Sequence, residues 1–380
     1  MSGGMPGTPG EIPFLDLAAQ AAEEGAALQA ALARGVMDGG WVGGPLVAEL
    51  EAALAAALDV PHVVAVSSGT DALMLGMVAA GIAPGDEVIT PPNSFVASTA
   101  AIRHIGAVPV FADVADDINI DPEAVERAIG PRTRAIMPVH LGGRVCDMHR
   151  IGELAQAHGL LVIEDAAQAF GSKFQDRAAG SFGTVGCFST HPAKNLNGVG
   201  DGGFVATADA AIADRIRRLR SHGTTPSGVV EFGFVSRLDN VQASVLLMRL
   251  ERLPSVEARR RRNADLYLRL LQDSPVRAVP ERQHEYNTWS TFRVEAPDRD
   301  RLAFHLRQAG IQTAMHYPVP IHLQPAAAGL GYKAGDFPET ERQAAHTLSL
   351  PVHQSLGEEA VARIAAAIGD FYRSRPGGRV

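Results

Sequence analysis

An α/β fold with a largely parallel sheet follows from three features of the chain. Apolar runs of strand type alternate with helical patterns from residue 63 to residue 206, the pattern of a sheet covered by helices on both faces. One run, Leu160-Leu161-Val162-Ile163, is apolar without a break, as a strand buried on both faces requires. At 380 residues the chain can bury a large core, leaving length for a second, smaller unit.

Seven strands are expected, over 63–66, 87–90, 108–111, 135–139, 160–164, 186–189 and 203–206, with helical stretches such as 122–129 and 148–158 between the first five. The large domain is assigned to 12–244. A long helical pattern over 245–271 carries Leu, Met and Arg at helical spacing and connects the large domain to the C-terminal part of the chain. Pro254 is expected to kink or interrupt it. Residues 272–373 alternate short strands (290–294) with helices (301–309, 358–372) and read as a smaller C-terminal α+β domain. Residues 1–11 lack a basic start and an apolar core, so they read as a disordered leader and not a signal peptide; residues 374–380 read as a disordered tail.

Composition narrows the function. A net charge of −8 speaks against nucleic acid or an anionic membrane as partner. The run Arg259-Arg260-Arg261-Arg262 reads as a solvated helix face. Cys146 and Cys187 match no metal-ligand spacing and suit a reducing, cytoplasmic compartment. No run approaches the ~18 uninterrupted apolar residues of a membrane span.

Lys194 lies in the most informative stretch, Cys187-Phe-Ser-Thr-His-Pro-Ala-Lys-Asn-Leu-Asn-Gly-Val-Gly-Asp-Gly-Gly-Phe204. Most lysines are solvated surface charges. This one stands between the end of an apolar strand and a glycine-rich turn, where a lysine readily loses its proton and attacks a carbonyl to form a Schiff base. That chemistry belongs above all to pyridoxal phosphate (PLP), which also needs a phosphate anchor, a carboxylate at its pyridine nitrogen and something flat against its ring. Ser67-Ser68-Gly69-Thr70 follows an apolar run and opens a helix, so its backbone N–H groups and the Thr70 hydroxyl suit an anion; alone, it is an ordinary helix cap. Asp165 ends the run Leu160–Glu164, where open α/β sheets place their ligand crevice; alone, it is equally a capping residue. Gln168 is placed to bond the ring's phenolic oxygen, and Phe95 to stack on the ring, although a loop Phe is as readily core.

With these pieces in this order, the chain resembles the DegT/DnrJ/EryC1/StrS aminotransferases, which are PLP-dependent sugar aminotransferases of the type I fold. The resemblance runs from Ile12-Pro-Phe-Leu-Asp16 to about Leu350-Pro351. It rests on Trp41-Val-Gly-Gly-Pro45, Ser68-Gly-Thr-Asp-Ala-Leu73, Val162-Ile-Glu-Asp-Ala-Ala-Gln168, Phe188-Ser-Thr-His-Pro-Ala-Lys194, Gly200-Asp-Gly-Gly203 and His316-Tyr-Pro-Val-Pro-Ile-His322. It implies that Lys194 carries the cofactor as a Schiff base and that Asp165 pairs with the pyridine nitrogen. It further implies that Gln168 contacts the phenolic oxygen, that Ser68, Gly69, Thr70 and Ser189 hold the phosphate, and that Phe95 and Arg237 complete the cofactor site. Asn93, His316, Tyr317 and His322 fall on the substrate side.

The implied reaction moves an amino group from L-glutamate to a nucleotide-linked keto-deoxysugar, in a homodimer with shared active sites. Asn93-Ser-Phe95 and His316-Tyr317 are more similar to the 3-keto than to the 4-keto branch. A cyclitol ketone is the alternative acceptor. Sugar dehydratases of the family carry His where Lys194 stands, and a regulator without turnover is the remaining class. One departure is plain: in Gly233-Phe-Val-Ser-Arg237, Val235 occupies the position of an Asn that reaches the neighbouring subunit's phosphate. That contact is expected to be lost, or replaced through Ser236 or water.

Overall fold

The computed structural model describes residues 10–37 and 39–374. Its centre is a seven-stranded sheet in the order His62–Val66, Gly203–Thr207, Val185–Ser189, Leu161–Asp165, Thr133–Ile136, Glu87–Thr90, Val108–Phe111. Gly203–Thr207 runs antiparallel to both neighbours, and every other adjacent pair is parallel. The mixed α/β class and the seven strands expected from the sequence are therefore present. The 135–139 strand begins two residues earlier and ends at Ile136; beyond it Met137 still donates to Ile89 O, but Pro138 has no N–H with which to extend the ladder.

Helices cover both faces, because both faces of these strands are apolar. On one face Val64, Ile163, Val185 and Val205 pack with Leu73 and Met77 of helix Gly69–Ala79 and Ile216 of helix Ala210–Leu219. On the other, Phe188 and Phe204 are register partners whose rings stack 4.5 Å apart, and Leu50, Leu54 and Leu246 close over them. Burial of this kind stabilises each large side chain by about 1.5–3 kcal/mol. Two helices that the sequence did not announce, Leu17–Met37 and Pro45–Leu58, precede the first strand.

The long helix starts at Asn240, five residues ahead of the expected 245, and runs to Leu270 without interruption at Pro254. The proline removes one helical hydrogen bond, while buried Leu246, Leu253, Ala264 and Tyr267 hold the helix on either side of it. Beyond it, Arg277–Ala278, Phe292–Glu295 and Thr347–Leu350 form a three-stranded antiparallel sheet packed by helices Arg299–Gln308 and Glu358–Arg373. Phe292 and Val294 enter a core with Tyr267, Leu306 and Ile364, so Arg293 and Glu295 occupy the opposite face. The expected strand over 290–294 begins only at Phe292, because Thr291 N bonds Gly142 O of the large sheet's loops instead. The leader and tail expected to be disordered lie mostly outside the described residues. The leader's last two residues are held, Gly10 by Arg363 and Glu11 by Gln312.

Candidate active site

The strands ending at Val66, Asp165 and Ser189 are mutually parallel, so the segments after them emerge at one edge of the sheet. Ser67–Thr70, Asp165–Gln168 and Ser189–Lys194 are brought together there, as open α/β sheets do with their ligand sites.

The chain has three lysines, Lys173, Lys194 and Lys333. Lys173 and Lys333 are exposed, and Lys194 is half-buried. Burial pushes the Lys194 amine below the ordinary lysine value, partly opposed by the charge of Asp165. Its loop is clamped to two helices. Arg249 forms a bidentate pair with Glu24 (2.9 and 2.7 Å) and donates through Nη1 to the carbonyls of Asn197 and Gly198. Gln242 accepts from Val199 N at 2.9 Å, and Gln20 exchanges amide hydrogen bonds with Asn197.

Asp165 is 5% exposed. Ser98, in the turn-and-helix segment after Phe95, donates to its Oδ2 at 2.6 Å, and Ala167 N donates to Oδ1 at 3.2 Å. Two donors hold this carboxylate in one orientation. Nothing in its own segment marks Ser98 for this part; only the fold brings it to a partner 67 residues away. Gln168 accepts from Gly142 N at 2.7 Å and lies 3.4 Å from Tyr317 Oη.

The helix Gly69–Ala79 is capped by Ser68, whose Oγ accepts from Asp71 N at 3.1 Å. The Gly69 and Thr70 N–H groups, in the first helical turn, have no helical partner and carry the positive end of the helix dipole. A Cβ at Gly69 would lie 2.6 Å from Ser189 Cβ, and one at Gly203 would lie 2.5 Å from the Ser68 backbone, so these glycines let the three segments close into a cradle. Phe95 is 41% exposed, with its ring centroid 5.7 Å from that of Tyr317. His316 bonds Ser349 Oγ through Nδ1 at 2.8 Å; burial, with Arg293 and Lys194 nearby, lowers its pKa to about 4, so the ring is neutral in the ordinary working range. Burial raises the Tyr317 phenol to about 12.

Three expected residues stand differently. Asn93 is buried and donates to Ile118 O at 2.8 Å. His322 is buried, with Nε2 3.0 Å from Glu341 Oε1 and its ring edge-on to Phe337. Arg237 is exposed. Ser236 is the side chain expected, as an alternative to water, to replace the missing Asn contact. Ser236 is fully buried, donates to Asp71 Oδ2 at 2.7 Å and accepts from Ser67 N at 3.2 Å, while Ser67 Oγ also donates to Asp71. That hydroxyl is spent within its own chain.

A lysine with a lowered pKa, an aimed buried carboxylate and a helix N-terminus in a glycine-lined cradle fit a pyridine ring bearing an aldehyde and a phosphate. Fold and site define a PLP-dependent aminotransferase. The chain belongs to the DegT/DnrJ/EryC1/StrS aminotransferase family, whose model matches residues 23–369. It is 42% identical over 363 residues to the dTDP-3-amino-3,4,6-trideoxy-alpha-D-glucose transaminase of Streptomyces venezuelae, covering 95% of this chain and 96% of that protein. A pleiotropic regulatory protein of Geobacillus stearothermophilus is 39% identical, with 95% of this chain and 99% of that protein covered. The crystal structure of S. venezuelae DesV in complex with a ketimine intermediate superposes with a TM-score of 0.93 at 41% identity, covering 96% of this chain and 99% of that one. Among the described residues no helix is long and apolar enough to cross a membrane, and no metal-binding cluster occurs.

Proposed function

We propose that this chain transfers the amino group of L-glutamate to carbon 3 of a nucleotide-linked keto-deoxysugar, acting in the cytoplasm as a homodimer with shared sites. The observation that carries the reading is the convergence of Lys194, the Ser98-held Asp165 and the Gly69–Thr70 helix start on one sheet edge. Bound PLP would supply an electron sink for the carbon bearing the amine. In this reading Lys194 holds the cofactor covalently and, once released, its Nζ moves the proton from the donor's α-carbon. Asp165 keeps the ring nitrogen protonated. Gly69, Thr70 and Ser189 bind the phosphate, Gln168 the phenolic oxygen, and Phe95 covers the ring. His316 and Tyr317 face the substrate as neutral hydrogen-bonding groups.

The 3-keto preference draws support from the S. venezuelae relative, named for a 3-amino sugar. An intact Lys194 weighs against a sugar dehydratase, which carries His at that position, and a net charge of −8 weighs against a DNA-binding regulator. The test presents nucleotide-linked 3-keto and 4-keto sugars and a cyclitol ketone with glutamate, and identifies the product by mass and NMR. Amination of the 4-keto sugar or the cyclitol alone would overturn the assignment.

The homodimer draws support from apolar side chains left in solvent on the 229–235 segment: Phe232 is 99% exposed, and Val229, Val230 and Val235 are each more than half exposed. Val235→Asn should restore a side-chain donor beside the partner's phosphate. A hydrogen bond to a charged group is worth about 1.5–3 kcal/mol, so cofactor release on dialysis should slow by roughly tenfold or more with the acceptor preference unchanged. Faster release would mean that Val235 fills an apolar contact instead. A fully active monomer in sedimentation would refute the shared site.

A further inference from the structure

We infer that Asn195 is a positioning residue for Lys194, tying the lysine's loop to the crossover that leads into the small sheet. The inference rests on the functional reading above, in which Lys194 carries the cofactor and moves the proton.

The lysine turn is braced from within. Lys194 N donates to His191 O at 2.8 Å, Asn197 Nδ2 to Pro192 O at 2.8 Å and Gly198 N to Thr190 O at 2.7 Å. The tethers from Arg249, Gln242 and Gln20 all fall on residues 197–199. Asn195, the lysine's neighbour, reaches a different element. Its Nδ2 donates to the carbonyl of Thr288 at 3.0 Å, 93 residues away. Its Oδ1 is buried without a hydrogen-bond partner, so the bond to Thr288 is what orients the amide.

The accepting carbonyl is itself fixed. Thr288 is fully buried, and Ser172 Oγ accepts from its N–H at 3.1 Å and lies 2.8 Å from its hydroxyl. Ser172 in turn donates to Gly143 O at 2.6 Å. Trp289 follows with φ at 49°, a left-handed backbone that a bulky side chain seldom adopts and that persists only where the surroundings impose it. Here they do. Arg260, 3% exposed, donates to Trp289 O at 3.2 Å. Gly143 approaches so closely that a Cβ there would lie 3.0 Å from Ser290 N. Backbone strain held in this way gathers at working sites.

What the tether does follows from where the chain goes next. Strand Phe292–Glu295 begins three residues after Trp289 and pairs with Thr347–Leu350. Ser349 of that second strand holds His316 Nδ1 at 2.8 Å, and Tyr317 follows His316. Lys194 on one side, and His316 and Tyr317 on the other, are thus referred to one small sheet, through Asn195 and through Ser349. Misplacing a reacting group by about 1 Å can cost about a hundredfold in rate. A residue that sets the amine against the substrate wall therefore bears on rate and leaves affinity alone, whereas an ordinary structural hydrogen bond bears on stability only.

The test compares wild type with Asn195→Ala and Asn195→Leu, the second of similar volume but without a donor. Three quantities are measured on the full chain: the rate of cofactor capture at saturating PLP by visible absorbance, kcat and KM in each half-reaction, and the thermal midpoint. We expect both variants to slow capture and to lower kcat roughly tenfold in the glutamate and keto-sugar half-reactions alike, since Lys194 acts in each, with KM within about twofold of wild type. Ser172→Ala, on the far side of the same segment, should lower kcat by roughly threefold. Combined with Asn195→Ala it should add little to the loss, because both changes release one tether. Unchanged capture and kcat, a change confined to KM or to the thermal midpoint, or additive losses in the pair would overturn the inference. If borohydride traps the cofactor on another lysine, the functional reading falls and the inference with it. If the cofactor is on Lys194 and Asn195→Ala reacts as wild type does, the tether alone falls.

Discussion

Replacing Lys194 by alanine is expected to abolish transamination and the visible absorbance of a lysine-bound cofactor together. The effect should span several orders of magnitude, because one side chain is asked to serve as both covalent carrier and proton mover. This chain makes the experiment unusually clean. Borohydride reduction of wild-type holoenzyme followed by peptide mapping must choose among three lysines, and Lys173 and Lys333 are exposed. Adduct recovered on the Lys194 peptide, and lost in Lys194→Ala, is the expected pattern. Adduct on another lysine, or retained absorbance in the variant, would remove Lys194 from its role.

The second large effect is expected from Asp165→Asn. An amide preserves the shape, its one oxygen can still accept from Ala167 N, and its NH2 can donate to the Ser98 hydroxyl, so the variant should fold and load cofactor. What it cannot do is hold a positive charge at the ring nitrogen. Losing one charge-assisted bond costs about 1.5–3 kcal/mol, which sets a floor of roughly ten- to hundredfold on the loss of kcat. Single-turnover absorbance with glutamate measures it directly. Near-normal turnover with full cofactor loading would exclude Asp165 as the ring's counter-charge. Ser98→Ala should show a smaller loss of the same kind, since the carboxylate then loses one of the two donors that aim it.

Much of this architecture was legible in the chain because its signals are local. Strand-type runs, the Ser68 cap before Gly69-Thr70 and an acid closing Leu160–Glu164 are each contained in a few neighbouring residues. Groups defined by distant partners were not legible: Ser98 matters through Asp165, Ser236 through Asp71, and Arg249 through Glu24. The expected break at Pro254 shows the same limit in reverse, since a local rule was overridden by packing along both halves of the helix. His322 belongs to the same motif as His316, yet the turn after Pro320 carries it to Glu341 instead.

The clamp on the Lys194 loop also bears on how the protein is made. Glu24 and Arg249 are 225 residues apart, and Gln20 and Asn197 are 177 apart. A nascent chain leaving the ribosome with Lys194 already synthesised still lacks Arg249 and Gln242, so the loop is without these partners until the long helix emerges. Contacts closed over such separations form late and slowly. The seven strands are all synthesised by Thr207, well before that helix is complete, so the central sheet can gather before Arg249 and Gln242 restrain the lysine loop. Competence to capture cofactor during refolding should therefore lag behind recovery of secondary structure.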